Sequence, residues 1–97
     1  MELIPTKAYI VSINDSIEEI APRNGSDFTL EEAQSYVEGY IETIRLTDEQ
    51  IMIVNEDGKF SKSYNLLATG IANLHNAIAR NDYISGNVII CPSSMLL

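Results

Sequence analysis

Residues 29–46, TLEEAQSYVEGYIETIRL, constrain this chain more than any other stretch, because they read as a capped helix that stops at a glycine and turns directly into a strand. Thr29 followed three residues later by Glu32 has the capping-box spacing, in which each side chain covers an unpaired N–H of the first turn. Glu31 and Glu32 sit where the positive end of the helix dipole favours acids. Leu30, Ala33 and Val37 recur at helical spacing and give one apolar face. Gly39 is expected to supply the left-handed residue that ends the helix. Residues 40–44 then continue as β-favouring sequence.

Residues 7–13, KAYIVSI, form a short β-rich run bounded by Pro5 and by Asn14-Asp15. Tyr9, Val11 and Ile13 face one way and Ala8 and Ile10 the other, so this strand is not expected at a fully exposed edge. Asn14-Asp15-Ser16 is turn chemistry, and residues 17–21 are read as the returning strand of a hairpin. Residues 22–27 are a loop. Beyond residue 46, Thr47-Asp48-Glu49 marks a turn, and residues 50–55 read as an interior strand, apolar on both faces. Asn55-Glu56-Asp57-Gly58 is a strong turn signal, with Lys59-Phe60 expected as a short returning strand. Asn65 is a good N-cap for a second helix reaching about residue 79. Its expected buried stripe is Leu67, Ile71, Leu74 and Ile78, with Gly70 beside it where the backbone approaches the sheet. The last strand is read from about Tyr83-Ile84 to Cys91, bulged at Gly86-Asn87 and ended by Pro92. The apolar residues 95–97 are expected to fray, as termini commonly do.

This order, β-β-α-β-β-α-β, predicts an α+β fold: a mostly antiparallel sheet with two helices packed on it. A chain of 97 residues has room for a single domain spanning 1–97. No apolar run reaches the roughly 18 to 20 residues of a membrane span. No signal peptide is apparent, and a single cysteine suits a reducing compartment, so a cytoplasmic protein that does not engage a membrane is expected. A net charge of −8 with six scattered basic residues argues against direct nucleic-acid binding.

Catalytic chemistry finds little support. Cys91 closes an apolar strand, where a free cysteine behaves as a small hydrophobe. His75, the one histidine, sits at the boundary of its helix's apolar stripe, so a Cys91–His75 dyad is disfavoured. One Cys and one His far apart make no zinc motif, and residues 55–58 are better explained as a β-turn than as a calcium loop. No metal site, catalytic residue or cofactor is assigned. Glu42 is the most interesting carboxylate, since in its strand it shares a side with Tyr40, Ile44 and Leu46. It lies either at the sheet's rim or in a functional position. The five tyrosines are a fair supply of amphipathic contact residues.

Residues 37–42 (VEGYIE), residues 55–59 (NEDGK), Asn65 with Ala68-Thr69, and residues 86–90 (GNVII) occur in one order. The set resembles a small family catalogued as domain of unknown function 3846, over roughly residues 30–91. Where that family tends to have two glycines ahead of the strand, this chain has Glu38-Gly39. The family carries no established activity, so the resemblance implies context only: a cytoplasmic accessory protein of a bacterium, phage or mobile element. Its recurring polar positions here are Glu42, Glu56 and Asn65, with structural readings as strand rim, turn and cap.

The expected function is a non-catalytic binding or regulatory module that meets a protein partner or itself, with a small ligand also open. Glu38, Tyr40, Glu42, Glu56 and Asn65 are the candidate binding residues. The alternative is an anti-defence factor of a mobile element, either an acidic decoy or a sequestering protein. An enzyme is the third option.

Overall fold

In the computed structural model, which describes residues 3–96, five strands form one sheet in the order β2-β1-β5-β4-β3, and every neighbouring pair is antiparallel. The strands are β1 (Ala8–Val11), β2 (Ile17–Ile20), β3 (Ile41–Arg45), β4 (Gln50–Asn55) and β5 (Val88–Pro92). Helix α1 (Leu30–Val37) joins β2 to β3 and so carries the chain from one sheet edge to the other. Helices α2 (Gly58–Ser61) and α3 (Leu66–Leu74) lie between β4 and β5. The expected element order and α+β class are those the chain adopts, with α2 as an added turn.

Alternation along the strands divides the apolar residues into two cores. Val11, Met52, Val54, Val88 and Ile90 pack with Ala68 and Ala72 of α3. Ala8, Ile53, Ile89 and Cys91 pack with Phe28 and with Ala33 and Val37 of α1. The two longer helices therefore cover opposite faces, and β5, apolar on both sides, runs through the middle.

Several local expectations are corrected. The left-handed residue after α1 is Glu38 (φ 63), not Gly39. Gly39 is required for a different reason: a Cβ there would lie 2.6 Å from Asn55 Nδ2. Only half of the capping box forms. Thr29 Oγ1 accepts from the Glu32 N–H at 3.2 Å, but the buried Glu32 carboxylate accepts from the Arg23 N–H at 3.1 and 3.2 Å. That carboxylate anchors the preceding loop instead of Thr29.

Lys59-Phe60 is not a strand, because β4 is already paired on both sides by β3 and β5 and offers no free edge. The chain coils into α2 instead. Helix α3 ends at Leu74, short of residue 79. Asn76 turns left-handed (φ 54), the Asn76 N–H reaches Asn73 O at 3.0 Å, and the Ala77 N–H reaches Ala72 O at 2.8 Å. This pattern is a Schellman cap built on asparagine.

The buried face of α3 is Ala68, Thr69 and Ala72, while Leu67 and Ile71 are half-buried and Leu74 is 79% exposed. Thr69 Oγ1 accepts from the Ile84 N–H at 2.9 Å and fixes that rotation. Gly70 consequently faces open space, away from the sheet. Residues 83–84 precede β5 and do not belong to it. They sit in a segment that pairs with the approach to α3 through a Tyr64–Ser85 bridge.

The C-terminal segment does not fray over its described part. The Phe28 N–H donates to Met95 O at 2.6 Å, Leu96 bridges Phe28, and both Met95 and Leu96 pack on the α1-side core. Leu97 lies outside the described residues. Among the described residues no helix is long and apolar enough to cross a membrane.

Candidate functional site

Two asparagines gather distant segments at one end of the sheet. Asn55, at the end of β4, donates through Nδ2 to Val37 O (3.0 Å) and Glu38 O (3.3 Å) and accepts through Oδ1 from the Asp57 N–H (2.8 Å). It thereby ties the end of α1 to the turn that starts α2. Asn65 caps α3 by accepting from the Ala68 N–H at 2.9 Å, and its Nδ2 donates to Val11 O (3.1 Å) and Gly86 O (2.8 Å). Gly58 allows α2 to press against this frame, since a Cβ there would lie 2.6 Å from Ser85 O.

Between β3, α2 and the segment before β5 lies a cleft of about 140 Å³ whose lining includes Glu42, Glu56, Lys59, Phe60, Tyr83 and Ser85. Lys59 Nζ pairs with Asp82 Oδ1 and lies 5.0 Å from the centre of the Tyr83 ring. That ring packs against Tyr64 at 6.0 Å with a 49° tilt. The hydrogen bond from Lys59, helped by the Tyr83 N–H, holds the Asp82 carboxyl below its ordinary value, and the same bond to Asp82 raises Lys59. With Lys59 occupied, the cleft presents the carboxylates of Glu42 and Glu56, which join no ion pair among the described residues. Ser85 is 6% exposed, and its hydroxyl has no hydrogen-bond partner among the described residues. No fully enclosed polar side-chain atom among the described residues is left unpaired, so this hydroxyl opens onto the cleft. Phe60 stands at the mouth, 91% exposed.

Of the residues expected from sequence, Glu42 and Glu56 are brought together in this cleft. Glu42 is exposed on β3, an edge strand of the sheet. Glu38 lies outside the cleft and accepts from Lys62 Nζ at 2.8 Å; that bond lowers its carboxyl below the ordinary value. Tyr40 is 70% exposed, and its carbonyl accepts from the Glu56 N–H at 2.9 Å. Asn65 is fully buried with every side-chain group engaged, so it serves as cap and strut and is out of a ligand's reach. Lys59, Phe60, Asp82, Tyr83 and Ser85 were not expected here. A lone phenylalanine amid the polar residues of KFSKS was the one signal that could have marked them. Cys91 faces the α1 core, whereas His75 caps α3 on the other side of the sheet. The sheet separates them, and burial pushes the Cys91 thiol up to about 11.

The stretches 37–42, 55–59 and 86–90, with Asn65, thus converge through the two asparagine frames. Residues 5–94 match the model of the family described as Domain of unknown function (DUF3846). The chain belongs to this family. The DUF3846 match takes in β1 and β2 as well as the stretches from α1 onward, so it reaches beyond residues 30–91. No curated protein and no solved structure matches the chain.

Proposed function

We propose that this DUF3846 protein is a non-catalytic accessory module that binds a protein partner through the cleft corner, acting in the cytoplasm of a bacterium that carries it on its own or a mobile element's genes. The observation that carries this reading is Phe60, 91% exposed on a cleft that Tyr83 (40%) also lines and that holds two carboxylates outside any ion pair among the described residues, with Tyr64 (50%) packed on Tyr83. Aromatic side chains in such settings supply the anchors of protein interfaces. The free carboxylates, on a chain of net charge −8, select a partner segment carrying Lys or Arg, which the aromatic rings can also hold by their faces. The acidic-decoy alternative needs an ordered acidic array. Five of the fourteen acids, Glu19, Glu32, Glu38, Asp48 and Asp82, are each tied to a base of the chain itself, which favours the binding-module reading.

The test is site-specific photo-crosslinking in the encoding organism with benzoylphenylalanine at position 60, and at Leu30 on the α1 side as control. A discrete adduct from position 60 alone is expected, its recovery weakened by Glu42→Gln with Glu56→Gln and by high salt. Adducts identical from both positions, or none from position 60, would refute the reading.

A further inference from the structure

We propose that the α3 face carries a second, separate site that takes an uncharged, mainly apolar small molecule bearing one hydrogen-bonding group. Helix α3 has nine residues and leaves part of its sheet face uncovered. The gap is a recess of about 840 Å³ with Leu46 and Ile90 in its floor and Leu67, Ile71 and Leu74 along its helical wall. Leu3, Pro5 and Ile17 complete the opposite rim, so the recess is ringed by three parts of the chain. Sites for small ligands are concave, mostly apolar, of about 300–1,000 Å³, with few placed polar groups. This recess has that form.

Gln50 is the polar group that points to an occupant. It opens β4 on the same side as Met52 and Val54, the α3 side, and lines the recess. It is 8% exposed, yet its side-chain amide makes no hydrogen bond among the described residues, although its carbonyl accepts from the Leu46 and Thr47 N–H groups. No wholly enclosed polar side-chain atom among the described residues is unpaired, so the amide must face the recess. An amide that makes no bond to the protein and opens onto the recess is free to bond whatever enters it, water or a ligand. A primary amide both donates and accepts, and the Thr47 hydroxyl in the same lining does so too. Among the described residues no Asp, Glu, Lys or Arg lines the recess, so an ionised group there would lie along apolar walls with no carboxylate, ammonium or guanidinium to pair with. The occupant is therefore neutral, with a carboxamide-like or hydroxyl end at Gln50 and an apolar body along α3.

The test uses the full chain with the neutral fluorophore N-phenyl-1-naphthylamine as probe, displaced by decanamide, 1-decanol and decanoate, with native mass spectrometry alongside. One probe per chain is expected, displaced by decanamide and decanol, and at least about tenfold more weakly by decanoate, the size of one unfavourable polar burial. Ile71→Trp should fill the recess and abolish probe binding. Leu74→Asp, at a position already 79% exposed and so of little cost to the core, should weaken it several-fold. Gln50→Leu should keep the probe but lose roughly five- to tenfold in decanamide affinity, the worth of one hydrogen bond. The proposal is overturned if the folded protein binds no probe, if Ile71→Trp and Leu74→Asp both leave binding unchanged, or if the protein is a dimer that excludes the probe. The last result would make a second copy of the chain the occupant.

Discussion

Gly39 and Asn55 are packed so closely that a Cβ at position 39 would lie 2.6 Å from Asn55 Nδ2. The amide cannot swing away without giving up its bonds to Val37 O and Glu38 O, and the same side chain holds the Asp57 N–H. Gly39→Ala should therefore destabilise the fold by about 1–3 kcal/mol, the usual cost of overpacking. Gly70 is the internal control. It lies in α3, where an added Cβ would meet nothing within 4 Å, so Gly70→Ala should gain up to about 1 kcal/mol of helix propensity. Urea midpoints moving in opposite directions would bear this out; a common direction would sink it.

Glu38 occupies the left-handed region at φ 63, a conformation that glycine adopts without steric cost. Glu38→Gly should raise the urea midpoint by relieving that backbone, even though the exposed bond to Lys62 is lost. A lowered midpoint would mean that the bond to Lys62 outweighs the backbone conformation.

Asn65 predicts a larger loss. Asn65→Ala removes the cap of α3 and leaves Val11 O and Gly86 O buried without their donor. A lost cap and unpaired buried carbonyls together amount to about 2–4 kcal/mol. Asn65→Asp keeps the capping oxygen but sets a second acceptor against Val11 O and Gly86 O in a fully buried site, so it should be no more stable than Asn65→Ala. A clearly more stable Asp variant would show that the cap, and not the strut bonds, carries the effect.

The helix–strand unit was legible because its determinants are local: Thr29 caps α1 by itself, and Asn65 caps α3 by itself. The features misread depend on tertiary pairing. Lys59-Phe60 has acceptable strand chemistry, but β4 has no edge left for it. Leu67, Ile71 and Leu74 have the right period for a buried stripe, yet Thr69 and the two small alanines turn α3 by one position and leave those larger residues around a recess. For the same reason Glu42 and Glu56 could be singled out, while Lys59, Asp82 and Tyr83 could not: their meeting depends on α2, which the turn signal at residues 55–58 did not foretell.

The ion pairs set a pH dependence whose sign follows from the shifts. Asp82 and Glu38 titrate below their ordinary values of 3.8 and 4.5, so the stability they add is complete above those values and is lost as pH falls through their folded values. Lys59 titrates above its ordinary 10.5, so its contribution is complete below that value and disappears as pH rises through the folded one. Carboxyl titration by NMR should show Lys59→Met returning Asp82 upward while leaving Glu38 in place, and Lys62→Met doing the converse. If either variant moves both carboxyls, the two pairs are coupled and the corner titrates as one network.

The folded-back C-terminal segment predicts a reporter for the α1-side core. Met95 and Leu96 cover Phe28, which is fully buried, and share that core with Cys91. Met95→Ala combined with Leu96→Ala should cost about 2–4 kcal/mol, since both side chains are only partly enclosed. In the intact chain the Cys91 thiol is buried and pushed up to about 11, so at pH 8 it is almost wholly protonated and shielded from iodoacetamide. Its alkylation must then proceed through opening of the core, and the double variant should react faster in proportion to its loss of stability. Alkylation as slow in the double variant as in the intact chain would show that the segment lies on this core without helping to close it.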